Sequence, residues 1–352
     1  MTKPNSFFGT GLFFAGITLL VLAAGCRTQS GQLKTAVPVA ETWRGVHMAV
    51  ESDSELAVLE GQLPKLAEVG VNVLVVQVDY HFDFQLHPEL RAARFITKAE
   101  AREFVEASKK LGIRVIPELD CLGHQSSGVI TLPLLAKYPQ LDETPGQFPN
   151  NQGIYCRSWC PQNPGVNKIV FPLIDELVDA FQADAFHVGM DEVFIIADKN
   201  CPRCRGGDPA KLFAKAVNDL HRHIVGKRKL QMLMWGDRLL DAKTMGYDRW
   251  ESATNGTARA VNLIPKDIII CDWHYRQQIN YPSVSFLLKK GFRVWPSGWQ
   301  PLEATKAFSQ FSIEQRRKNK RILGYLCTTW DKVKPGDVGD WPPITEILPE
   351  WK

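Results

Sequence analysis

The chain has 352 residues, a net charge of +4, and a composition of 45% hydrophobic and 23% charged residues. This is ordinary globular composition with enough apolar material for one large core, so one large domain is expected. The basic residues are dispersed except around Arg316-Arg317-Lys318 and Lys320-Arg321. That run falls on a predicted helix and reads as a solvated face, so no nucleic-acid partner is expected.

The chain opens with Lys3, an apolar run from Phe7 to Ala24, and then Leu22-Ala23-Ala24-Gly25-Cys26. Small residues before a cysteine, after an apolar run, resemble a bacterial lipoprotein signal. The resemblance implies a signal peptide over 1–25, cleavage before Cys26, lipid on that cysteine, and a membrane partner reached through the anchor. Arg27, not Asp, follows the cysteine, which favours the outer membrane. A plain signal peptide and a membrane anchor are the alternatives, and all of them place the protein outside the cytoplasm. Residues 26–42 then read as a short polar tether.

From there, apolar β-branched runs alternate with segments of helical period. The first run is Arg44–Val50; Leu56, Leu59, Leu63 and Leu66 follow at helical spacing and stop at Gly70. The second run is Val71–Tyr80, and Thr97 with Glu100 then forms a capping box ahead of Phe104, Val105 and Leu111. Further runs are Ile113–Asp120 and Ala185–Val193. Asp208-Pro209 then caps a helix carrying Leu212, Phe213, Ala216, Val217 and Leu220. Leu230–Asp237, Ile268–Tyr275, Arg293–Trp299 and Ile322–Trp330 complete eight runs. Strands buried on both faces read as continuous apolar runs, as Val73–Val76 does. Eight strands with helical crossovers predict an α/β fold, a (β/α)₈ TIM barrel in one domain over 43–352, with a short or irregular last helix. An open doubly wound sheet is the runner-up, but no Gly-rich phosphate fingerprint follows the first strand.

In such a barrel, functional residues gather where strands end. Here those ends carry Asp79-Tyr80-His81, Glu118 to His124, Asp191-Glu192, Trp235 to Asp237, Trp273 to Tyr275, Trp295 to Trp299 and Trp330-Asp331. Rings that stack on a pyranose, with carboxylates to fix its hydroxyls, are the chemistry of sugar recognition. Consecutive residues on a regular strand face opposite ways. Asp191 and Glu192 can therefore serve one sugar only if the strand ends or distorts near Met190.

Several ordered motifs resemble glycoside hydrolase family 20, the β-N-acetylhexosaminidases. They are Arg44-Gly45-Val46, Asn72, Ile116 to His124 with its proline-glutamate start and Gly-His end, and Cys160-Pro-Gln-Asn-Pro164. Phe186-His-Val-Gly-Met-Asp-Glu-Val193 and Met234-Trp235-Gly-Asp237 complete the series. The resemblance implies an exo-acting enzyme that removes terminal N-acetylhexosamine from an oligosaccharide or glycoconjugate, with no cofactor. The substrate's own acetamido oxygen would be the nucleophile, Glu192 the general acid and base, and Asp191 the partner of the acetamido group. Arg44, His124, Trp235, Asp237, Trp273, Tyr275 and Trp330 are the expected substrate-binding residues, with Trp299 a further candidate. A sugar-binding lipoprotein without turnover is the alternative. The sequence departs from the family where the second strand ends in Gln77-Val-Asp-Tyr-His81, where Asp331 follows Trp330, and where no α/β domain precedes the barrel.

Cys156-x-x-x-Cys160 and Cys201-Pro-Arg-Cys204 fall in the loops after the third and fourth strands. Neighbouring loops of a barrel could bring four sulfurs together, as a structural zinc site or as disulfides. Cys121, Cys271 and Cys327 are expected to pack as small apolar residues.

Overall fold

The computed structural model describes residues 42–351; the expected signal peptide, Cys26 and the tether up to residue 41 lie outside them. Eight parallel strands form a closed barrel. They are β1 (Trp43–Ala49), β2 (Val73–Gln77), β3 (Arg114–Cys121), β4 (Ala185–Gly189), β5 (Gln231–Trp235), β6 (Ile269–Trp273), β7 (Arg293–Gly298) and β8 (Gly324–Thr328). Each pairs with its sequence neighbours, and β8 closes on β1 with Trp43 opposite Gly324. All eight coincide with the apolar runs, six lying within them and β1 and β3 each reaching one residue beyond, at Trp43 and Cys121. Burial on both faces is the reason those runs are unbroken.

The main crossover helices are α1 (Asp53–Glu68), α2 (Lys98–Lys110), α3 (Pro164–Ala180), α4 (Pro209–His221), α5 (Pro282–Lys289) and α6 (Leu302–Lys318); α7 (Pro342–Ile347) follows β8. Their starts obey the local signals. Ser52 accepts from the Glu55 amide, Thr97 and Glu100 form the reciprocal capping box, and Asp208 accepts from the Ala210 amide one residue beyond the first-turn proline. The last helix has six residues, short as expected. One expectation fails. Between β5 and β6 there is no full helix, only Ala242–Met245 and two 3₁₀ turns. Gly246 and Gly256, both at positive φ, interrupt any helical run there.

Two apolar layers hold the barrel. Outside, the helices bury rows such as Leu56, Leu59, Leu63 and Leu66 against the outward faces of the strands. Inside, alternate residues pack together, among them Trp43, Val73, Val75, Ile116, Leu233, Ile269, Trp295 and Leu326. Gly45 makes room for the largest of these: a Cβ there would lie 2.1 Å from Cζ2 of Trp295. With Trp43 facing inward and Gly45 beside Trp295, Arg44 between them points outward.

That orientation corrects one site expectation. Arg44 lies at the N-terminal end of β1, the end away from the βα loops. Its guanidinium donates to the carbonyls of Gly70 and Trp351. It ties the chain's last turn to the barrel's base, and nothing places it with the other site residues.

Candidate active site

At the C-terminal end of β4 the backbone breaks its alternation. The strand stops at Gly189, and Gly189, Met190 and Glu192 all have positive φ. Gly189 is required twice over: its φ is +61°, and a Cβ would lie 2.1 Å from Oδ1 of Asp120. Beside it the pairing of β3 with β4 shifts register between Glu118 and Cys121. The result is that Asp191 and Glu192 face the same space. His124 Nε2 lies 3.2 Å from Oδ2 of Asp191 and 3.3 Å from Oε2 of Glu192. These are ion-pair contacts and not aligned hydrogen bonds, since neither meets the donor geometry. Burial alone would lower the His124 imidazole, but the Asp191 charge outweighs it, with help from Glu192 and Asp120, and holds it well above the usual range.

The Asp-Glu turn is fixed from outside. The Glu192 amide donates to Oδ2 of Asp237 at 2.9 Å, and Asp237 also accepts from Arg238 Nε at 2.5 Å. Arg238 in turn donates to the carbonyls of Arg249 and Trp250, while Asn255 donates to those of Val193 and Phe194. Asp237 therefore positions Glu192 through its backbone. Its second oxygen and Oδ1 of Asp191 are both buried without a partner among the described residues.

Beside this turn sit two more carboxyls. Gln77 Nε2 donates to Asp79 and to Asp120, and Asp79 accepts from the Asp120 amide. Burial pushes Asp79 up to about 6, and burial with the charges of Asp79 and Asp191 pushes Asp120 well above the usual carboxylate range. His81, a neighbour in sequence, donates to the Arg94 carbonyl and orders its own loop.

The floor is a polar layer in which Glu118, His187 and Trp235 come from the expected strand ends and motifs and His47 had not been anticipated. Glu118, fully buried, accepts from His47 Nε2 at 2.8 Å and from Trp235 Nε1 at 3.2 Å, and lies in ion-pair contact with His187 Nδ1 at 2.8 Å. Burial by itself would raise its carboxyl, but His187 and His47 bring it well below the usual range. Over this floor lie the rings. Trp235 packs against His47, His187 and Trp330, and Trp273 stacks on Tyr275 with centroids 4.9 Å apart. Trp330, at positive φ, donates its indole N–H to the Tyr275 hydroxyl at 2.9 Å. Trp299 lies edge-on to Tyr275 and donates to the Thr329 carbonyl. His124, Trp235, Asp237, Trp273, Tyr275 and Trp330 thus gather with Asp191 and Glu192; Arg44 does not.

A rim of Tyr155, Phe194 and Trp250, with centroids 4.9–5.7 Å apart, stands beside His124. None was legible beforehand, because each sits on a loop without periodicity. The cysteines also need a correction. Cys156 Sγ turns toward the Glu192 carbonyl at 3.6 Å. Cys160, Cys201 and Cys204 come together without it, joined by Glu143. Cys121, Cys271 and Cys327 are buried, as expected for packing residues.

The sequence profile described as glycosyl hydrolase family 20, catalytic domain, matches residues 46–334. A β-hexosaminidase of Vibrio furnissii is 24% identical over 289 residues, 76% of this chain and 44% of the relative. One from Porphyromonas gingivalis is 30% identical over 257 residues, 67% of this chain and 30% of the relative. The chain spans less than half the length of these curated relatives. Among solved structures, a chitobiase of Flavobacterium johnsoniae superposes with a TM-score of 0.63 at 22% identity, over 88% of this chain and 48% of that one. Dispersin B superposes at 0.55 and 16% identity, over 88% of this chain and 99% of that one. At these identities the two structures show the barrel fold.

Proposed function

The chain belongs to glycosyl hydrolase family 20, and from that premise we propose that it is an exo-acting β-N-acetylhexosaminidase working by substrate-assisted, retaining catalysis. The observation that carries the reading is the convergence of Asp191 and Glu192 on one imidazole, with Oδ1 of Asp191 buried and without a partner among the described residues. A buried carboxylate oxygen with no donor is costly unless a ligand supplies one. An acetamido N–H is such a donor.

The steps follow from the groups present. The acetamido oxygen attacks the anomeric carbon as the glycosidic bond breaks, and Glu192 gives its proton to the departing oxygen. Asp191 accepts the acetamido N–H and stabilises the positive charge that grows on the oxazoline ring. Glu192, now a carboxylate, takes a proton from water, whose oxygen opens the ring at the anomeric carbon and retains configuration. His124 lies against both carboxylates and offsets their mutual repulsion. Trp235, Trp273 and Trp330 wall the acetamido group, and the Tyr275 hydroxyl is placed to meet its oxygen. No step requires a cofactor. The Tyr155, Phe194 and Trp250 rim supports stacking of the leaving sugar.

We also propose that the chain is exported and lipid-anchored at Cys26 to a bacterial membrane, the outer membrane favoured, on the strength of Leu22-Ala23-Ala24-Gly25-Cys26 after an apolar run. Incorporation of labelled fatty acid by the wild-type chain and by Cys26→Ala alike would sink this. The catalytic proposal is tested on aryl β-N-acetylglucosaminides and their galactosamine epimers. Turnover of at least one, with the β-anomer of the free sugar released first, is expected. An α-anomer as first product, or tight binding of N-acetyl sugars with no turnover, would overturn it.

A further inference from the structure

We propose that Glu143, Cys160, Cys201 and Cys204 form a structural zinc site that clamps the loop after β3 to the loop after β4. The four ligand atoms lie within 4.8 Å of one another. Cys160 Sγ is 3.2 Å from Cys204 Sγ and 3.6 Å from Cys201 Sγ. A tetrahedral zinc with Zn–S bonds of ~2.3 Å holds its sulfurs about 3.8 Å apart, so a small outward adjustment seats the ion. The surroundings suit a closed site. Glu143, Cys160 and Cys201 are fully buried and Cys204 is 1% exposed, which leaves no open position for a reacting water.

Two features point to a cation and away from a simple thiol cluster. Glu143 uses Oε1 to accept the Asp198 amide at 3.1 Å, but Oε2 is buried with no partner among the described residues. A carboxylate kept out of water beside three sulfurs is expensive unless a positive charge compensates it. In the Cys201-Pro-Arg-Cys204 turn, the Cys204 amide donates to Sγ of Cys201 at 3.2 Å, a bond that favours the thiolate a metal requires. A disulfide would use two of the three sulfurs and leave the third, with Oε2 of Glu143, unsatisfied. One zinc satisfies all four. Thiolate-rich tetrahedral donors select zinc among common divalent ions, and the absence of histidine from the set excludes the usual catalytic arrangement.

The position gives the clamp a purpose. The segment from Val193 to Cys201 starts at the catalytic turn, and its Asp198 amide is held by Glu143 itself. Zinc here fixes the far end of the strand of chain that carries Glu192. Its role is to position that turn, without touching substrate.

The test is metal analysis of the full chain, purified without chelator after expression with added zinc, together with its intact mass under non-reducing conditions. We expect close to one zinc per chain and a mass with every thiol intact. Cys201→Ser should lose the metal, Glu143→Gln should bind it more than about tenfold more weakly, the range commanded even by outer partners of metal ligands, and Cys156→Ser should keep it. Should a variant fail to fold, the wild-type chain decides alone. Stripping with a strong chelator should lower its melting temperature, and stoichiometric zinc should restore it. A metal-free chain whose mass is short by the two hydrogens of a disulfide overturns the proposal. So does zinc that Cys201→Ser retains, or a melting temperature indifferent to stripping.

Discussion

Glu118→Gln probes the polar floor of the barrel, and its cost can be worked from the contacts. The carboxylate accepts from the His47 imidazole at 2.8 Å and one indole at 3.2 Å and pairs with the His187 imidazole at 2.8 Å, all in a fully buried layer. A glutamine of the same shape offers one accepting oxygen and an NH₂ that must face a former donor. His47 could switch tautomer to receive it, but its Nδ1 is buried without a partner among the described residues, and so is Nε2 of His187. Either way a buried N–H is orphaned and charge-assisted bonds become neutral ones. Hydrogen bonds to charged groups contribute roughly 1.5–3 kcal/mol each, and an orphaned donor costs about 1–3 kcal/mol. A net loss of about 3–4 kcal/mol is expected, or roughly 5–6 °C in melting temperature for a domain of this size. The acceptor of Trp235 also weakens from a carboxylate to a neutral amide oxygen, so KM for an N-acetylhexosaminide should rise as well. Differential scanning calorimetry with steady-state kinetics on the same preparation reads both. A midpoint within about 1 °C of wild type would refute the reasoning, because it would mean the layer tolerates a donor where the structure requires an acceptor.

A second polar knot predicts a pH dependence of stability. His274 donates to Glu251 at 2.7 Å and to Ser283 at 2.8 Å, and lies 3.3 Å from Asp272; burial would lower it, but Asp272 and Glu251 raise it to about 9. The stabilisation is complete below the ordinary histidine pKa of ~6.5 and is lost as pH rises through 9. It amounts to about 3 kcal/mol, and denaturant midpoints from pH 6 to 10 should show a fall that His274→Asn lacks. The inner layer predicts that Gly45→Ala, whose Cβ would meet Trp295 at 2.1 Å, costs about 3 kcal/mol by overpacking. Trp295→Leu in the same chain should recover part of it, and a Gly45→Ala variant as stable as wild type would contradict the packing.

The strands were legible because burial on both faces writes itself as an unbroken apolar run, and the helix starts because caps are local chemistry. The crossover between β5 and β6 was not, since glycines there substitute turns for a helix while leaving enough apolar residues to suggest alternation. At the site, the Asp191-Glu192 pair stood out by its place at a strand end and by the family resemblance of its motif, side-chain periodicity then required a break near Met190, and the backbone does break there. Arg44 was misplaced because a motif names a residue type without its direction; the inward demands of Trp43 and Gly45 turn it outward. Glu143 carried no local signal at all. It becomes a partner of three cysteines only when two loops, far apart in sequence, meet on the same face.

The central claim is that the substrate supplies its own nucleophile, with Asp191 as its support. The most direct measurement compares kcat/KM for an aryl β-N-acetylglucosaminide with that for the matching β-glucoside, in the wild-type chain and in Asp191→Asn. Intramolecular attack by a well-oriented group carries an effective molarity of roughly 10⁵ M or more. The glucoside, which lacks that group, should therefore react more than about a thousandfold more slowly, and Asp191→Asn should collapse most of the difference. Comparable rates on the two sugars, or a preference that Asp191→Asn leaves intact, would contradict the account.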